Sequence, residues 1–123
     1  MSRDISESIK MLEAHIASTA RVAEWAELMG YKNERRFSRH FVRHFRERPS
    51  RTLTGIRLKS IAHDLRTTSY NHQEIAWRHS LPDEKALYNF VKYHAGCSPT
   101  QLKKMPEDNM YRIFENLGSK FRE

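Results

Sequence analysis

The sequence has few of the residues that cross-link or interrupt a chain. Among 123 residues there are one cysteine, four glycines and four prolines, so no internal disulfide can form. No apolar run is long enough to cross a bilayer, and the opening MSRDISESIK lacks the apolar segment of a secretory signal. These absences argue against a disulfide-rich secreted domain and a membrane protein, and they predict a location in a reducing cytoplasm.

The usual signatures of catalysis and metal binding are also missing. There is no glycine-rich phosphate loop and no paired-carboxylate motif, and nothing marks a histidine partner for Cys97. His40 and His44 are four residues apart and could share a metal, but no third ligand is evident and the arginines around them would repel a cation. A protonated His44 near a phosphate, or a half-buried structural histidine, suits the pattern better. We therefore predict no enzyme, no cofactor and no metal site.

What the sequence does have is positive charge concentrated in one segment. The net charge is +7, and residues 32–51 alone carry eight Lys or Arg against two Glu, a sum of +6. Residues 1–31 carry three basic against five acidic residues, a sum of −2. A focused positive field predicts a polyanionic partner, with nucleic acid first and an anionic membrane surface second.

Apolar residues recur at helical spacing along the whole chain, and the alternating pattern of a strand is absent. The sequence therefore predicts an all-α fold. The predicted helices cover residues 3–17, 20–29, 33–46, 50–66, 72–79, 83–95, 99–104 and 107–117. Gly30 is expected to end the second of these helices and Gly118 the last.

The sequence matches itself when it is shifted by fifty residues. Apolar positions are kept at helical spacing, and four residues are identical in the two copies: Glu24 and Glu74, Ala26 and Ala76, His44 and His94, Pro49 and Pro99. In the first copy, Ala26 and Gly30 have the small-residue and turn-glycine spacing of a helix-turn-helix. The repeat predicts two helix-turn-helix subdomains, residues 1–49 and 67–104, joined by a linker helix at 50–66 and followed by a C-terminal helical extension at 105–123.

The third predicted helix is apolar on one side and basic on the other. Phe37, Phe41 and Phe45 fall on one side when residues are placed about 100° apart. Five arginines occupy the opposite sector: Arg35, Arg36, Arg39, Arg43 and Arg46. Guanidinium groups suit phosphate oxygens and the O6/N7 edge of guanine. We predict that the phenylalanines pack the helix against its own subdomain and that the arginines contact DNA. The simpler alternative is that the arginines form a solvated basic face that only aids solubility.

The corresponding helix of the second copy is less charged. Lys85, Asn89, Lys92 and Tyr93 are predicted to face outward. Asparagine can make paired hydrogen bonds to adenine, and lysine can contact guanine or phosphate. We therefore expect the second subdomain to bind DNA more weakly than the first.

From about Ser8 to Lys104 the sequence resembles the DNA-binding domain of the AraC/XylS family of bacterial transcription regulators. The first copy reads VAEWAELMGYKNERRFSRHFVRHFRERPSRTL, the linker IRLKSIAHDL, and the second copy QEIAWRHSLPDEKALYNFVKYHAGCSPTQLKK. The resemblance implies two recognition helices in successive major-groove segments of one duplex, separated by about one helical turn. It also implies base and phosphate contacts from Arg35, Ser38, Arg39, Glu84, Lys85, Tyr88 and Asn89.

The sequence departs from the family pattern in the length of its first turn, which is one residue longer than usual, at Leu81, where an aromatic is common, and at two glycine positions. Arg46 stands where a glycine usually follows the first recognition helix, and Ser80 replaces the turn glycine of the second subdomain. A residue other than glycine in that turn is expected to leave it strained or shifted, which leaves open a binding mode dominated by the first subdomain.

Taken together, the sequence predicts a sequence-specific, double-stranded DNA-binding transcription regulator in the bacterial cytoplasm, associated with the nucleoid. By resemblance to small stand-alone family members, it is expected to be a monomeric activator that recruits RNA polymerase. The last helix is expected to pack on the second subdomain, with contact to polymerase or a second copy as the alternative. The alternative functions are a nonspecific or architectural nucleic-acid-binding protein and a protein-interaction module. The predicted DNA contacts are Arg35, Arg36, Ser38, Arg39, Arg43, Arg46, Glu84, Lys85, Tyr88, Asn89 and Lys92.

Overall fold

The computed structural model describes the backbone of residues 4–120 and the side chains of residues 4–115. Over this range the chain is helical, with no strand, as predicted. The α-helices are α1 (Ser8–Ala14), α2 (Val22–Leu28), α3 (Glu34–Phe45), α4 (Pro49–Thr67), α5 (His72–Arg78), α6 (Glu84–Ala95), α7 (Pro99–Lys104) and α8 (Glu107–Lys120). None of these helices is both long enough and apolar enough to span a bilayer.

Two predicted helix limits were wrong. The helix expected over residues 3–17 is α1 flanked by two 3-10 turns, Ile5–Glu7 and Ile16–Ser18. The break falls at His15, whose ring Nδ1 bonds the Met11 carbonyl at 3.0 Å and whose own carbonyl accepts a hydrogen bond from the Thr19 hydroxyl at 2.8 Å. At the other end, α8 continues through Gly118 to Lys120, because a glycine only weakens a helix that other contacts support.

The first subdomain is built around a buried aromatic cluster. Trp25 of α2 is fully buried and meets the rings of Phe37 and Phe41 edge-on, with centroid distances of 5.2 and 4.9 Å. Its indole Nε1 donates to the carbonyl of Ser8 at 3.0 Å, which ties α1 to α2. Edge-on aromatic pairs add about 0.5–1.5 kcal/mol each to the burial of their apolar area. This cluster fixes α3 through one side only.

The second subdomain has an aliphatic core at the matching positions. Ile75, Leu87 and Val91 are fully buried, and they stand fifty residues after Trp25, Phe37 and Phe41. The expected packing of the last helix on this subdomain is confirmed, since three α8 side chains lie against this core: Met110, Ile113 and Phe114. One packing scheme is therefore used twice, with α8 as an addition to the second copy.

Helix α4 belongs to both cores. Its Leu53 is buried in the first core, whereas Leu58, Ile61 and Leu65 are buried in the second. Proline at its first position fits the helix start, because the missing N–H would have no partner there. Because one helix contributes side chains to both cores, it fixes the position of one subdomain relative to the other.

The helix-turn-helix turns of the two subdomains have the same backbone geometry. The N–H of Tyr31 donates to the carbonyl of Ala26, and the N–H of Leu81 to that of Ala76, both at 2.9 Å. Gly30 has φ of 81° and Ser80 has φ of 59°, so both occupy the left-handed region. The serine turn is strained, as expected for a residue with a side chain, but it keeps the shape of the glycine turn.

Candidate nucleic-acid interface

Local sequence explains why α3 begins and ends where it does. The side chain of Asn33 accepts hydrogen bonds from the N–H groups of Arg35 and Arg36, at 2.8 and 3.2 Å, and so caps the first turn. Arg43 and His44 lie in the last turn, where positive charge complements the helix dipole. Both ends of α3 are therefore stabilised, the amino end by the Asn33 cap and the carboxyl end by basic residues.

The two sides of α3 are separated as the sequence predicts. Phe37 and Phe41 are fully buried and Phe45 is half-buried, whereas the five arginines are exposed. We call Arg35, Arg36, Arg39, Arg43 and Arg46 the arginine face. Within residues 4–115 no salt bridge involves any of them. The face therefore presents uncompensated charge that can meet phosphate or base edges.

One member of the arginine face lies outside the helix. Arg46 follows the last residue of α3 and adopts the left-handed conformation, with φ of 60°. Its N–H donates to the carbonyl of Val42 at 2.8 Å and closes the helix end. In the second subdomain Gly96 takes this role with φ of 79°. The helical wheel therefore does not place the Arg46 side chain, although that side chain is exposed.

Ser38 lies at the edge of α3 rather than on its outward face. It is half-buried and lines a shallow groove between α3 and the first residues of α2 and α4. Val22, Val42 and Ser50 line the same groove, together with Arg39 and Arg43 of the arginine face. The family resemblance implies a contact from Ser38, and the structure places that side chain in this groove beside the arginine face.

A second groove lies at the corresponding place beside α6. Its lining includes His72, Glu84, Tyr88 and Thr100, which stand fifty residues after Val22, Glu34, Ser38 and Ser50. Neither Ser50 nor Thr100 was among the predicted contacts. The fifty-residue repeat maps the lining of one groove onto the other, so it relates Ser50 to Thr100, but it identifies neither of them by itself.

The outward face of α6 combines polar and aromatic side chains. Asp83 caps the helix by accepting from the N–H of Ala86 at 2.8 Å, and Leu87 and Val91 are fully buried. The predicted contacts on this helix are all exposed: Glu84, Lys85, Tyr88, Asn89 and Lys92. Tyr93, predicted to face outward but not named as a contact, is 82% exposed.

The exposed faces of α3 and α6 differ in charge. The arginine face carries five positive charges, whereas the exposed predicted contacts of α6 carry two lysines and one glutamate, a sum of +1. Electrostatic attraction to a polyanion is therefore concentrated at α3, and α6 offers mainly hydrogen-bonding and stacking groups.

The histidines of α3 and the cysteine that follows α6 differ in how far their side chains are buried. Nδ1 of His40 lies 3.0 Å from the Tyr31 hydroxyl, and their rings meet edge-on, whereas His44 is exposed. Burial raises the pKa of the half-buried Cys97 thiol, against a smaller opposite effect of Lys92. No group of three potential metal-ligating side chains occurs among the described residues.

Several solved structures resemble the chain over most of its length. The C-terminal domain of AraT, a response regulator from Geobacillus stearothermophilus, is 22% identical, with a TM-score of 0.69 over 81% of this chain and 83% of that one. The DNA-binding domain of AdpA, a global transcriptional factor solved in complex with a target DNA, is 22% identical, with a TM-score of 0.68 over 83% and 91%. An AraC-type transcriptional regulator from Chromobacterium violaceum is 19% identical, with a TM-score of 0.66 over 80% and 88%.

These structures define the class of fold. No protein-family model matches the sequence, and a search of curated proteins finds no match. The chain has the fold of AraC-type DNA-binding domains, two helix-turn-helix subdomains on a shared linker helix, as the sequence resemblance predicted. The structures it resembles are described as regulators or DNA-binding domains rather than enzymes.

Proposed function

We propose that this protein is a sequence-specific, double-stranded DNA-binding regulator of transcription. The observation that carries the proposal is the arginine face: five exposed arginines without a salt bridge in the described part of the chain, four of them on α3, whose other side packs into an aromatic core, and Arg46 directly after it. In the AraC-type fold this helix is the recognition helix of the first subdomain. Its diameter suits the major groove, where arginine can pair with guanine.

The binding mode follows from the two-subdomain arrangement. Helices α3 and α6 enter successive major-groove segments, and α4 sets their separation. The contacts we propose are Arg35, Arg36, Ser38, Arg39, Arg43 and Arg46 from the first subdomain, and Glu84, Lys85, Tyr88, Asn89 and Lys92 from the second. We propose that the chain divides into a first subdomain, a linker helix, a second subdomain and a C-terminal extension, at residues 1–49, 50–66, 67–104 and 105–123.

The proposal extends to how the protein acts in the cell. One chain carries two different recognition faces, so a single copy can read an asymmetric site, and we propose that it binds as a monomer. We also propose that it acts as an activator at the bacterial nucleoid and recruits RNA polymerase. Transcription in vitro tests the activator role. The promoter carries, upstream, the duplex site that the protein binds, and an activator raises the transcript yield whereas a repressor lowers it.

Selection of bound fragments from a random duplex library tests the central proposal. The expected result is a single asymmetric motif whose two parts lie about one helical turn apart. The selected duplex should then outcompete a scrambled duplex of equal length by about a thousandfold or more at physiological salt. Equal competition by the scrambled duplex would instead favour the nonspecific or architectural alternative, which the uncompensated arginine face also supports. Absence of any complex at low salt would favour a protein-interaction module.

A further inference from the structure

The turn of the second subdomain contains a serine that its backbone does not need. Ser80 has φ of 59°, a conformation that glycine adopts freely and other residues rarely do. The first subdomain provides an internal comparison, because Gly30 occupies the equivalent position in a turn closed by the same hydrogen bond. A strained serine where glycine would suffice points to a task for its side chain.

The Ser80 side chain makes a direct bond to the other subdomain. Its Oγ donates to the carbonyl of Ala17 at 2.7 Å, across 63 residues of sequence. Ala17 lies in the 3-10 turn Ile16–Ser18, which contacts α4. The turn that precedes α6 is therefore attached to the first subdomain by a route other than the linker helix.

The neighbouring residue of the same turn is attached to α4. Nη2 of Arg57 donates to the carbonyl of His79 at 2.6 Å, and this largely buried guanidinium also lies over the ring of Phe90. Nε2 of His79 lies 2.8 Å from the hydroxyl of Ser60. Two successive turn residues thus have separate attachments, one to the linker helix and one to the first subdomain.

We propose that Ser80 is a positioning residue that fixes the second recognition helix relative to the first subdomain. Helix α6 begins four residues after Ser80, so a displacement of the turn moves the whole recognition helix. The consequence for DNA, which rests on the proposed function, is a fixed separation of the two half-sites. Ser80 itself touches no base in this scheme and acts through the position of α6.

A distance measurement without DNA tests the positioning role. Spin labels at Glu27→Cys and Lys103→Cys, both exposed, in a Cys97→Ala background would report the distance between the subdomains by pulsed electron resonance. The protein with Ser80 should give one narrow distribution, and both Ser80→Gly and Ser80→Ala should broaden it. Broadening by the glycine variant alone would overturn the proposal, because backbone freedom rather than the lost hydroxyl would then be the cause.

A matched control separates the bond from the strained backbone. Arg46→Gly also replaces a left-handed residue other than glycine, but within residues 4–115 the Arg46 side chain makes no hydrogen bond or salt bridge to the second subdomain. It should leave the distance distribution narrow. If Arg46→Gly broadens the distribution as much as Ser80→Gly does, the assignment to Ser80 is wrong. Thermal unfolding of each variant checks that the protein measured is folded.

A binding measurement tests the consequence for DNA. The duplex selected by the unaltered protein is compared with versions that have one base pair added or removed between the half-sites. The spacing penalty is the factor by which an altered duplex binds more weakly than the selected duplex. Loss of one net hydrogen bond corresponds to about a two- to tenfold change in an equilibrium constant. Ser80→Ala and Ser80→Gly should therefore reduce the spacing penalty by about that factor. An unchanged penalty would refute the role in spacing. If the unaltered protein binds no duplex, the proposed function fails, and the distance measurement still decides the positioning role.

Discussion

Replacement of Arg39 by alanine is the sharpest test of how α3 would read DNA. Arg39 is exposed in the middle of the arginine face and also lines the groove beside Ser38, so its side chain can reach either a base edge or a phosphate. A bidentate contact to guanine contributes about 1–3 kcal/mol of discrimination, which corresponds to about a five- to 150-fold change in affinity. Arg39→Ala should therefore weaken binding to the selected duplex by that factor and relax preference at one or two base pairs.

The comparison that decides the role of Arg39 uses two duplexes and three variants, Arg39→Ala, Arg39→Lys and a control. Competition assays at fixed salt compare the selected duplex with one altered at a single guanine. Arg39→Lys keeps the charge but loses the planar fork, so it should bind the two duplexes with more similar affinities. Arg112→Ala, an exposed arginine on α8, is the control and should change neither affinity. A uniform loss for all duplexes on Arg39→Ala would show a phosphate contact and refute base reading.

Three further predictions follow from the contacts of α3 and of the turn before α6. Arg43→Ala should make the negative slope of log affinity against log salt shallower by about 0.9 if Arg43 meets a phosphate, and an unchanged slope in filter-binding titrations would contradict that role. Phe41→Ala should lower the free energy of unfolding by about 3–5 kcal/mol, and more than Phe45→Ala does, because Phe41 is fully buried and Phe45 only half-buried; urea unfolding measures both, and the reverse order would contradict the packing. Burial holds the pKa of His79 below its usual value, so the unfolded chain binds more protons and the free energy of unfolding should fall as pH drops through about 6.5, the usual histidine value. His79→Gln should reduce this slope; an equal slope in the unaltered protein and in His79→Gln would contradict the account.

The parts of the fold that sequence predicts well are those set by short-range periodicity. Phe37 and Phe41, and their counterparts Leu87 and Val91, recur at helical spacing, and each is fully buried. The repeat then places the two subdomains and the helix between them, because equal patterns bury equal faces. For the same reason the exposure of the arginine face could be predicted before any coordinates.

The features that escape prediction depend on contacts between residues distant in sequence. The pattern of α4 gives no sign that Arg57 is buried, because its partner is the carbonyl of His79, 22 residues away. The reason for serine at position 80 is a carbonyl 63 residues earlier. At a shorter range, the break at His15 arises from side-chain bonds to nearby carbonyls, which hydrophobic periodicity does not register.

The candidate interface is predictable in its centre and less so at its edges. An exposed helix face follows from the wheel, so the four members of the arginine face that lie on α3 need only the identity of that helix. Ser50 and Thr100 belong to the helices that follow α3 and α6, and they line the two grooves only because the chain folds back beside α3 and α6. Edge residues of this kind require the packing angle between helices, which local sequence does not specify.

Guanine methylation interference on the selected duplex tests the central claim most directly. A methyl group at N7 blocks the major groove, so the account predicts two patches of interference on one side of the duplex, about one helical turn apart. The patch under the arginine face should be the stronger of the two, and Arg39→Ala should weaken that patch alone. Binding that tolerates methylation at every guanine, or that is blocked only by minor-groove ligands, would contradict insertion of α3 into the major groove.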